Sequence, residues 1–336
     1  MLEVVLYLLS WFVVPPWSLV GWGVLGCLVW GINRLRYPWC QSLSTMDGKT
    51  VVITGGNKGI GLETARDLAR RGATVILACR NVIRGNIARD DILSGGRGRV
   101  EVAELDVSCM ASVRKFGKRL NGRKVDVLIN NAAVADLPQQ LTDEGLELTV
   151  ATNHLGHFLL THLLLPGLKA ASGRVVTITS FGHKWVKEVK DLDLDGDLKF
   201  QISRPLRTLE IYAATKLMNS NFTMELHRKL EGTGVTANCV HPGIVNTDIF
   251  NCMTSRVWYG FFVKLFVRAY AKSSVEGAQT SILLAASEEV QGVSGKYFSD
   301  CKEAECSPLV MDEGLAKKLW EISERLVQLE PHEQML

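Results

Sequence analysis

The sequence predicts an α/β protein in which a single doubly wound parallel sheet is flanked by helices and preceded by an apolar N-terminal segment. Short runs of β-branched residues alternate with helical patterns along most of the 336 residues, as in parallel sheets that are covered on both faces. A glycine-rich turn links the first run to the first helical pattern. Residues 46–313 contain no low-complexity linker, so we predict one domain over this range.

Seven apolar runs are predicted to be the strands of this sheet. They are short and rich in Val and Ile, which is typical of strands buried on both faces. Helical patterns separate consecutive runs, so each connection can cross over to a parallel neighbour. The predicted strands cover residues 50–54, 74–79, 100–105, 125–129, 174–179, 235–240 and 296–298.

The first 36 residues form an almost uncharged apolar run, which the pair Pro15-Pro16 divides. Neither piece alone is long enough to cross about 30 Å of hydrocarbon comfortably. Both a kinked single span and a hairpin within one leaflet fit, with a cleaved signal peptide or an interfacial segment as alternatives. We predict a membrane anchor over residues 1–36. Arg34 and Arg36 lie at its C-terminal end, after the apolar run, and favour a cytosolic domain beyond it.

Charge and cysteine usage exclude several classes of function. The 38 basic and 35 acidic residues nearly balance, so we expect no nucleic-acid partner. The eight cysteines form no C-x-x-C pair, which argues against a disulfide framework or a zinc site. His154, His157 and His162 lie at a spacing that does not converge on one ion, and we predict no metal.

The glycine-rich turn after the first strand predicts a phosphate-binding site in a Rossmann-type fold. Glycines let a phosphate approach the backbone, and the following helix presents its positive N-terminal end. Residues 21–26 also spell G-x-G-x-x-G, but no strand precedes them, so we assign them no nucleotide. The candidate cofactor-binding residues of the turn are Gly55, Asn57, Lys58, Gly59, Ile60 and Gly61.

The end of the second strand indicates which dinucleotide binds. An Asp or Glu about 20 residues beyond the glycines would accept the ribose 2′-hydroxyl of NAD. The chain has Arg80 there instead, and Lys58 lies inside the glycine turn. Two cations suit a 2′-phosphate, which a guanidinium can bind with two hydrogen bonds. We therefore predict NADP(H), the alternative being that Arg80 is an ordinary solvated side chain.

Three side chains form the candidate reacting group. Tyr212 and Lys216 are four residues apart, so they share one face of a predicted helix. An ammonium near the phenol favours phenolate and lowers its pKa toward neutrality. Ser180 ends the fifth strand and can hold a substrate oxygen while Tyr212 exchanges its proton. Hydride transfer would be the chemistry of the cofactor.

With these motifs the chain resembles the short-chain dehydrogenase/reductase family over about residues 46–300. The matching motifs are Thr54-Gly55-x-x-x-Gly59-Ile60-Gly61, Asn130-Asn131-Ala132, Asn153, Ser180, Tyr212-x-x-x-Lys216 and Pro242-Gly243. The resemblance implies Tyr212 as acid/base, Ser180 as the group that polarises the substrate oxygen, Lys216 on the nicotinamide ribose and Asn153 as holder of a relay water. It also implies cofactor contacts at Asp106, Val107, Asn130, Ala132, Pro242, Gly243 and Thr247.

Within this family the chain looks most like the retinol dehydrogenase branch, to which the segments 70–73, 78–80, 153–161 and 277–280 are similar. The resemblance implies NADP-linked interconversion of retinol and retinal, or of similar lipophilic alcohols and aldehydes. It further implies the endoplasmic reticulum membrane, a catalytic domain facing the cytosol and a homodimer. A steroid or other lipid carbonyl reductase is the alternative enzyme. A non-catalytic, cofactor-binding membrane scaffold is the alternative of another class.

Four segments limit or extend this interpretation. Ala133 stands where the family has glycine, which places a Cβ beside the cofactor. Residues 187–207 form a long, charged insertion beside the expected substrate opening. Residues 253–272 combine aromatic bulk with a basic stripe, which predicts a substrate lid or a membrane-contact helix. Residues 314–336 have the pattern of a C-terminal amphipathic helix.

Overall fold

The structure is a computed structural model that describes residues 37–95, 97–135, 137–200, 207–247, 271–334 and 336. Residues 39–336 form one compact unit. The predicted anchor over residues 1–36 lies outside the described residues, as do all but the last two residues of the predicted lid, 253–272. Across the described part of the chain, no helix combines the length and the apolarity needed to cross a bilayer.

The described strands form one sheet in the order β3-β2-β1-β4-β5-β6-β7-β8. All neighbours are parallel except β7 and β8. This order confirms the predicted doubly wound α/β sheet. The strands are β1 Thr50–Thr54, β2 Thr74–Cys79, β3 Arg99–Glu104, β4 Val127–Asn130, β5 Arg174–Ile178, β6 Thr236–His241, β7 Lys296–Ser299 and β8 Lys302–Glu303. The prediction missed β8 because a two-residue exposed strand carries no apolar pattern.

Helices cover both faces of the sheet. They are α1 Gly59–Arg70, α2 Val82–Leu93, α3 Met110–Arg119, α4 Gly156–Ala171, α5 Arg207–Lys229, α6 Ser274–Ala286 and α7 Glu313–Leu326. In β1, Val51 and Ile53 pack into the core beneath α1 and α6, whereas Val52 points into the core on the opposite face. The alternation follows from the two-residue period of a strand, and it makes every central strand apolar on both sides.

The C-terminal helix is shorter than predicted and is part of the main core. Helix α7 ends at Leu326, and only a single helical turn, Pro331–Glu333, follows it. Trp320 of α7 packs edge-on against Phe158 of α4 and stacks on Phe222 of α5. Because α5 carries the predicted reacting pair, this aromatic cluster helps to hold the helix of that pair against the sheet.

Candidate active site

The carboxyl ends of the central strands open into a cavity of about 870 Å³. Ligands bind at this edge in open α/β sheets. The cavity brings together most of the predicted site residues, although they come from seven segments of the chain. Those that line it are Gly55, Asn57, Lys58, Gly59, Ile60, Arg80, Asp106, Val107, Ala132, Ser180, Tyr212, Lys216, Pro242, Gly243 and Thr247. Gly61, Asn130 and Asn153 lie outside this lining.

The glycine turn is compressed against the loop that follows β4. Gly55 has a φ of +64°, and a Cβ there would lie 3.2 Å from Cα of Ala132. A Cβ on Gly61 would lie 2.6 Å from Nδ2 of Asn131 and 2.7 Å from the Gly55 carbonyl oxygen. Gly61 therefore serves the packing of the turn itself. Helix α1 also starts without a side-chain cap, which suits an anion at its N-terminus.

The end of the cavity beside Arg80, which we call the adenosine end after its predicted ligand, is basic. Arg80 is 78% exposed and its Nη1 lies 3.7 Å from Oδ2 of Asp106. Asp106 is held in turn by Ser108, whose backbone N–H and hydroxyl both donate to Oδ1, at 3.0 and 2.6 Å. Among the described lining residues Asp106 is the only carboxylate, while Lys58 and Arg80 are both cations. These residues fit a dinucleotide that carries an additional phosphate on its ribose.

A buried polar network lies behind the glycine turn. The Thr54 hydroxyl accepts hydrogen bonds from the backbone N–H groups of Asn131 and Ala132, both at 2.9 Å, and it lies 2.9 Å from Nε2 of His157. Nδ1 of His157 is 3.1 Å from the Asn153 carbonyl oxygen, which can only accept. The hydrogen is therefore on Nδ1, and Thr54 donates to Nε2. Burial lowers the pKa of His157 to about 4, which keeps the imidazole neutral.

Asn130 and Asn131 are consecutive in the chain, but their side chains lie in different places. Asn130 was predicted to contact the cofactor, but its side chain is buried and donates to the Thr161 hydroxyl at 3.1 Å. Asn131 lines the cavity, and its Nδ2 donates to the Thr54 carbonyl oxygen at 2.8 Å. The two side chains diverge because consecutive residues at a strand end point to opposite faces. The sequence therefore identified the Asn130-Asn131-Ala132 motif, but it could not tell which of the two asparagine side chains lines the cavity.

Asn153 lies in a π-helical turn, Ala151–Leu155, immediately before α4. Its Oδ1 accepts from the Val134 N–H at 2.8 Å, and its Nδ2 donates to the Val134 carbonyl at 2.9 Å and to the Thr215 hydroxyl at 3.1 Å. The side chain is fully buried. It therefore clamps the loop after β4 to α5, which is a positioning role. A π-turn at a functional site is a common device for aiming such a side chain.

The reacting group predicted from the sequence is assembled around α5. Ser180 and Tyr212 both line the cavity, and a Cβ placed on Gly182 would lie 3.5 Å from Oγ of Ser180 and 3.8 Å from Cε1 of Tyr212, so the two side chains come close together there. The Ser180 hydroxyl oxygen accepts from the Gly182 N–H at 3.1 Å. Nζ of Lys216 lies 5.5 Å from the centre of the Tyr212 ring and donates to the Ile178 carbonyl at 3.0 Å. A substrate oxygen between Tyr212 and Ser180 would meet two hydroxyl donors.

Burial dominates the protonation of Tyr212 and Lys216. It raises the pKa of Tyr212, and the polar Ser180 side chain beside it offsets part of this effect. It lowers the pKa of Lys216 to about 7. The expected lowering of the Tyr212 pKa by the Lys216 ammonium is therefore not a feature of this structure. Burial shifts both groups toward their neutral forms, because the phenolate of Tyr212 and the ammonium of Lys216 would each lose contact with water.

Two histidines that the sequence analysis did not identify hold the loop that carries Ser180. Nδ1 of His183 donates to the Ser180 carbonyl at 2.6 Å, and its Nε2 accepts from the Ser307 N–H at 3.1 Å. Nδ1 of His241 accepts from the Phe181 N–H at 3.2 Å. Burial lowers the pKa of His183, and it lowers that of His241 to about 4. Both histidines are thus positioned as neutral hydrogen-bond partners.

The mouth of the cavity is apolar. Phe181, Trp185 and Ile244 line it and remain half or more exposed. Large apolar side chains left in water at the rim of a cavity are typical of a site for an apolar ligand. Phe181 directly follows Ser180 in the chain, so this part of the rim lies beside the predicted reacting group.

The insertion was predicted as a charged segment, and its described part, residues 187–200, is amphipathic. Leu192, Leu194, Leu198 and Phe200 are buried in the core, while most of its charged side chains face solvent. Leu198 and Phe200 adopt left-handed backbone conformations, with φ of +58° and +48°. Such conformations cost free energy in bulky residues and persist where the surrounding packing requires them.

Comparison with known proteins identifies relatives over most of the chain. The family model for short chain dehydrogenases matches residues 49–186 and 203–257. Retinol dehydrogenase 14 of Mus musculus is 44% identical over 296 residues, covering 84% of this chain and 86% of its own. Retinol dehydrogenase 13 of Mus musculus is 40% identical, covering 94% of each chain. Retinol dehydrogenase 12 of Bos taurus is 43% identical, covering 84% of this chain and 88% of its own.

Solved structures share the fold. An uncharacterized protein from Mycobacterium paratuberculosis aligns with a TM-score of 0.70 at 34% identity, covering 87% of this chain and 98% of that one. L-sorbose reductase from Gluconobacter frateurii, solved with NADPH and L-sorbose, aligns with a TM-score of 0.62 at 22% identity, covering 78% and 99%. The second likeness concerns the fold alone.

Proposed function

The chain belongs to the short-chain dehydrogenase family, and we propose that it is an NADP(H)-dependent oxidoreductase that interconverts a lipophilic alcohol and its aldehyde or ketone, with retinol and retinal as the leading pair. The observation that carries this proposal is one cavity with a basic adenosine end, the Tyr212–Ser180 pair in the middle and an apolar rim. Its relatives named retinol dehydrogenases support the substrate class.

The cofactor proposal rests on the charges around the adenosine end. Lys58 and Arg80 would hold the 2′-phosphate, and Asp106 orients Arg80. Gly55 and Gly59 would leave room for the pyrophosphate at the start of α1, and the Pro242–Thr247 loop would border the nicotinamide. When bound, the dinucleotide supplies or accepts the hydride.

The chain's own residues would handle the proton. Ser180 donates a hydrogen bond to the substrate oxygen and places it beside Tyr212. In the direction of reduction, Tyr212 gives its proton to that oxygen as the carbonyl carbon is reduced. A phenol whose pKa is raised by burial is fully protonated at neutral pH and ready for this step. Lys216, with its pKa near 7, lies close enough to resupply the proton through bound water or the ribose.

The apolar rim and the predicted anchor over residues 1–36 together support a lipophilic substrate delivered from a membrane. We propose the endoplasmic reticulum with the catalytic domain in the cytosol, where NADPH would favour reduction. A homodimer remains a prediction from the family resemblance.

The test is NADPH oxidation by the full-length, detergent-solubilised protein with all-trans-retinal, compared with NADH. Tyr212→Phe should lower kcat by about 100-fold or more, the usual value of a positioned acid, and still bind NADPH. Tyr297→Phe, at a buried tyrosine that does not line the cavity, is the matched control and should keep parental activity.

Other outcomes would select the alternatives. Turnover of steroid or other lipid ketones, but not of retinal, would keep the mechanism and change the substrate. Binding of NADPH without turnover of any carbonyl in the panel would favour the non-catalytic scaffold.

A further inference from the structure

A second cavity, of about 1100 Å³, lies beside the catalytic helix α5. It is formed where the segment after β4, the insertion and the start of α5 meet. Its buried floor is apolar, and its exposed edge is charged. The floor includes Val186, Phe200, Ile211 and Ala213, and the edge includes Lys190, Asp191 and Lys199. A groove with this division suits an uncharged apolar chain that lies on the floor.

The second cavity adjoins the active site at Trp185, which lines both cavities. Leu137 lines the first cavity, and residues 139–141 line the second. Tyr212 lines the first, whereas its chain neighbours Ile211 and Ala213 line the second. Trp185 is therefore the side chain at which the two cavities meet.

The first cavity is too small to hold both a dinucleotide and the whole of a long lipophilic substrate. Pockets that enclose a single drug-sized ligand measure about 300–1,000 Å³. A dinucleotide would therefore take up much of the 870 Å³ at the active site, leaving room for the reacting end of a substrate but little for a long chain. A lipophilic molecule whose carbonyl lies at Tyr212 must place its distal part elsewhere.

We propose that the second cavity is a distal substrate subsite for the apolar chain of a long lipophilic aldehyde or ketone, with Trp185 at the junction as a specificity-determining residue. This inference rests on the proposed function, because that function places the carbonyl at Tyr212. Trp185 is 53% exposed despite its size, so its ring is available to pack against a chain that passes from one cavity to the other.

Chain-length dependence follows directly. Each methylene that enters the second cavity leaves water and should raise kcat/KM, by up to about fourfold for a fully buried group. Short aldehydes occupy only the first cavity and gain nothing from the second.

Leu141→Asp tests the proposal. Leu141 lines the second cavity and not the first, and it is 50% exposed, so the substitution should not unfold the protein. The matched control is Leu43→Asp, at a position that is 94% exposed and outside both cavities. For the full-length protein with NADPH, kcat/KM is measured for straight-chain aldehydes from hexanal to hexadecanal.

Leu141→Asp should lower kcat/KM for hexadecanal by about tenfold or more, since the carboxylate would be desolvated by the chain, and leave hexanal nearly unchanged. Leu141→Met should keep the long-chain preference. Equal values for hexadecanal in Leu141→Asp and Leu43→Asp would overturn the subsite, as would a parental protein that shows no chain-length dependence.

A binding measurement separates this proposal from the proposed function. Retinol binding is followed by its own fluorescence and needs no turnover. Weaker binding in Leu141→Asp than in Leu43→Asp would support the subsite even if the parental protein reduced no aldehyde. Identical retinol affinities in these two variants would argue against it even if retinal were reduced.

Discussion

The proposed cofactor end and the proposed substrate end of the cavity, called the cofactor end and the substrate end below, are built in opposite ways. At the cofactor end, buried hydrogen bonds fix the backbone, as where Thr54 joins Asn131, Ala132 and His157. At the substrate end, half-exposed apolar side chains such as Phe181 and Trp185 stand on a loop that is held from behind by His183. Phosphates need a rigid cradle of donors, whereas an apolar ligand needs surface to cover.

The difference between the two ends indicates that substrate specificity is set at the substrate end, where side chains can change. Glycine contacts shorter than an ordinary van der Waals distance leave the cofactor end little freedom to change. The substrate end contains the insertion and shares Trp185 with a second cavity, so its side chains can vary without disturbing the sheet. If the two ends are independent, a substitution at one end should leave ligand binding at the other end unchanged.

The largest expected effect is acid destabilisation through the buried histidines. Burial lowers the pKa values of His154, His157, His162 and His241 from 6.5 to about 4, so the unfolded chain binds more protons between these values. Stability should therefore be complete above pH 6.5 and fall as the pH approaches 4, by up to about 5 kcal/mol per pH unit. Urea unfolding at several pH values measures the slope.

His162→Gln should reduce the slope of unfolding free energy against pH by about 1.4 kcal/mol per pH unit, which corresponds to one proton. His162 packs against Trp320, away from the active-site cavity, so the variant separates the slope from effects on the site. A slope of zero in the parental protein between pH 6.5 and 4 would show that these histidines are not buried and neutral.

Asn153→Ala should lower the free energy of unfolding by about 3 kcal/mol. The change removes a fully buried side chain and leaves the partly buried Val134 N–H and carbonyl without the partner that clamps them. Asn130→Ala is the matched comparison and should cost about 1 kcal/mol, because the Asn130 side chain makes one hydrogen bond, to Thr161. Equal losses in thermal or urea unfolding would contradict the clamp.

Arg80→Asp should lower kcat/KM for NADPH by about 100-fold and leave that for NADH much less affected. The substitution replaces a charge-assisted contact to the 2′-phosphate with repulsion. Arg84→Asp, on α2 outside the cavity, makes the same charge change and should keep the NADPH preference. An unchanged preference in Arg80→Asp would mean that Arg80 is only a solvated surface residue.

The smallest effect is expected at the rim. Phe181→Ala should raise KM for retinal by about three- to tenfold and leave the melting temperature and the KM for NADPH unchanged, because the side chain is half-exposed. Ile83→Ala, an exposed apolar position outside the cavity, should change neither KM. A rise in the KM for NADPH in Phe181→Ala would show that the two ends are coupled.

The sequence by itself determined the features that are encoded locally. The strands follow from short β-branched runs, the turn from glycines between a strand and a helix, and the pairing of Tyr212 with Lys216 from a four-residue spacing. These patterns depend on residues that are near one another in the chain. For that reason the sheet, the cavity and most of its lining could be predicted.

Only the tertiary structure decided the features that depend on distant partners. His183 is a positioning residue because Ser307, 124 residues away, donates to it. Asn131 and not Asn130 lines the cavity because of the side that each faces at the end of β4. The charged insertion buries four apolar residues, and Trp185 stands between two cavities. Periodicity records which face of an element is apolar, but not which remote segment will pack against it.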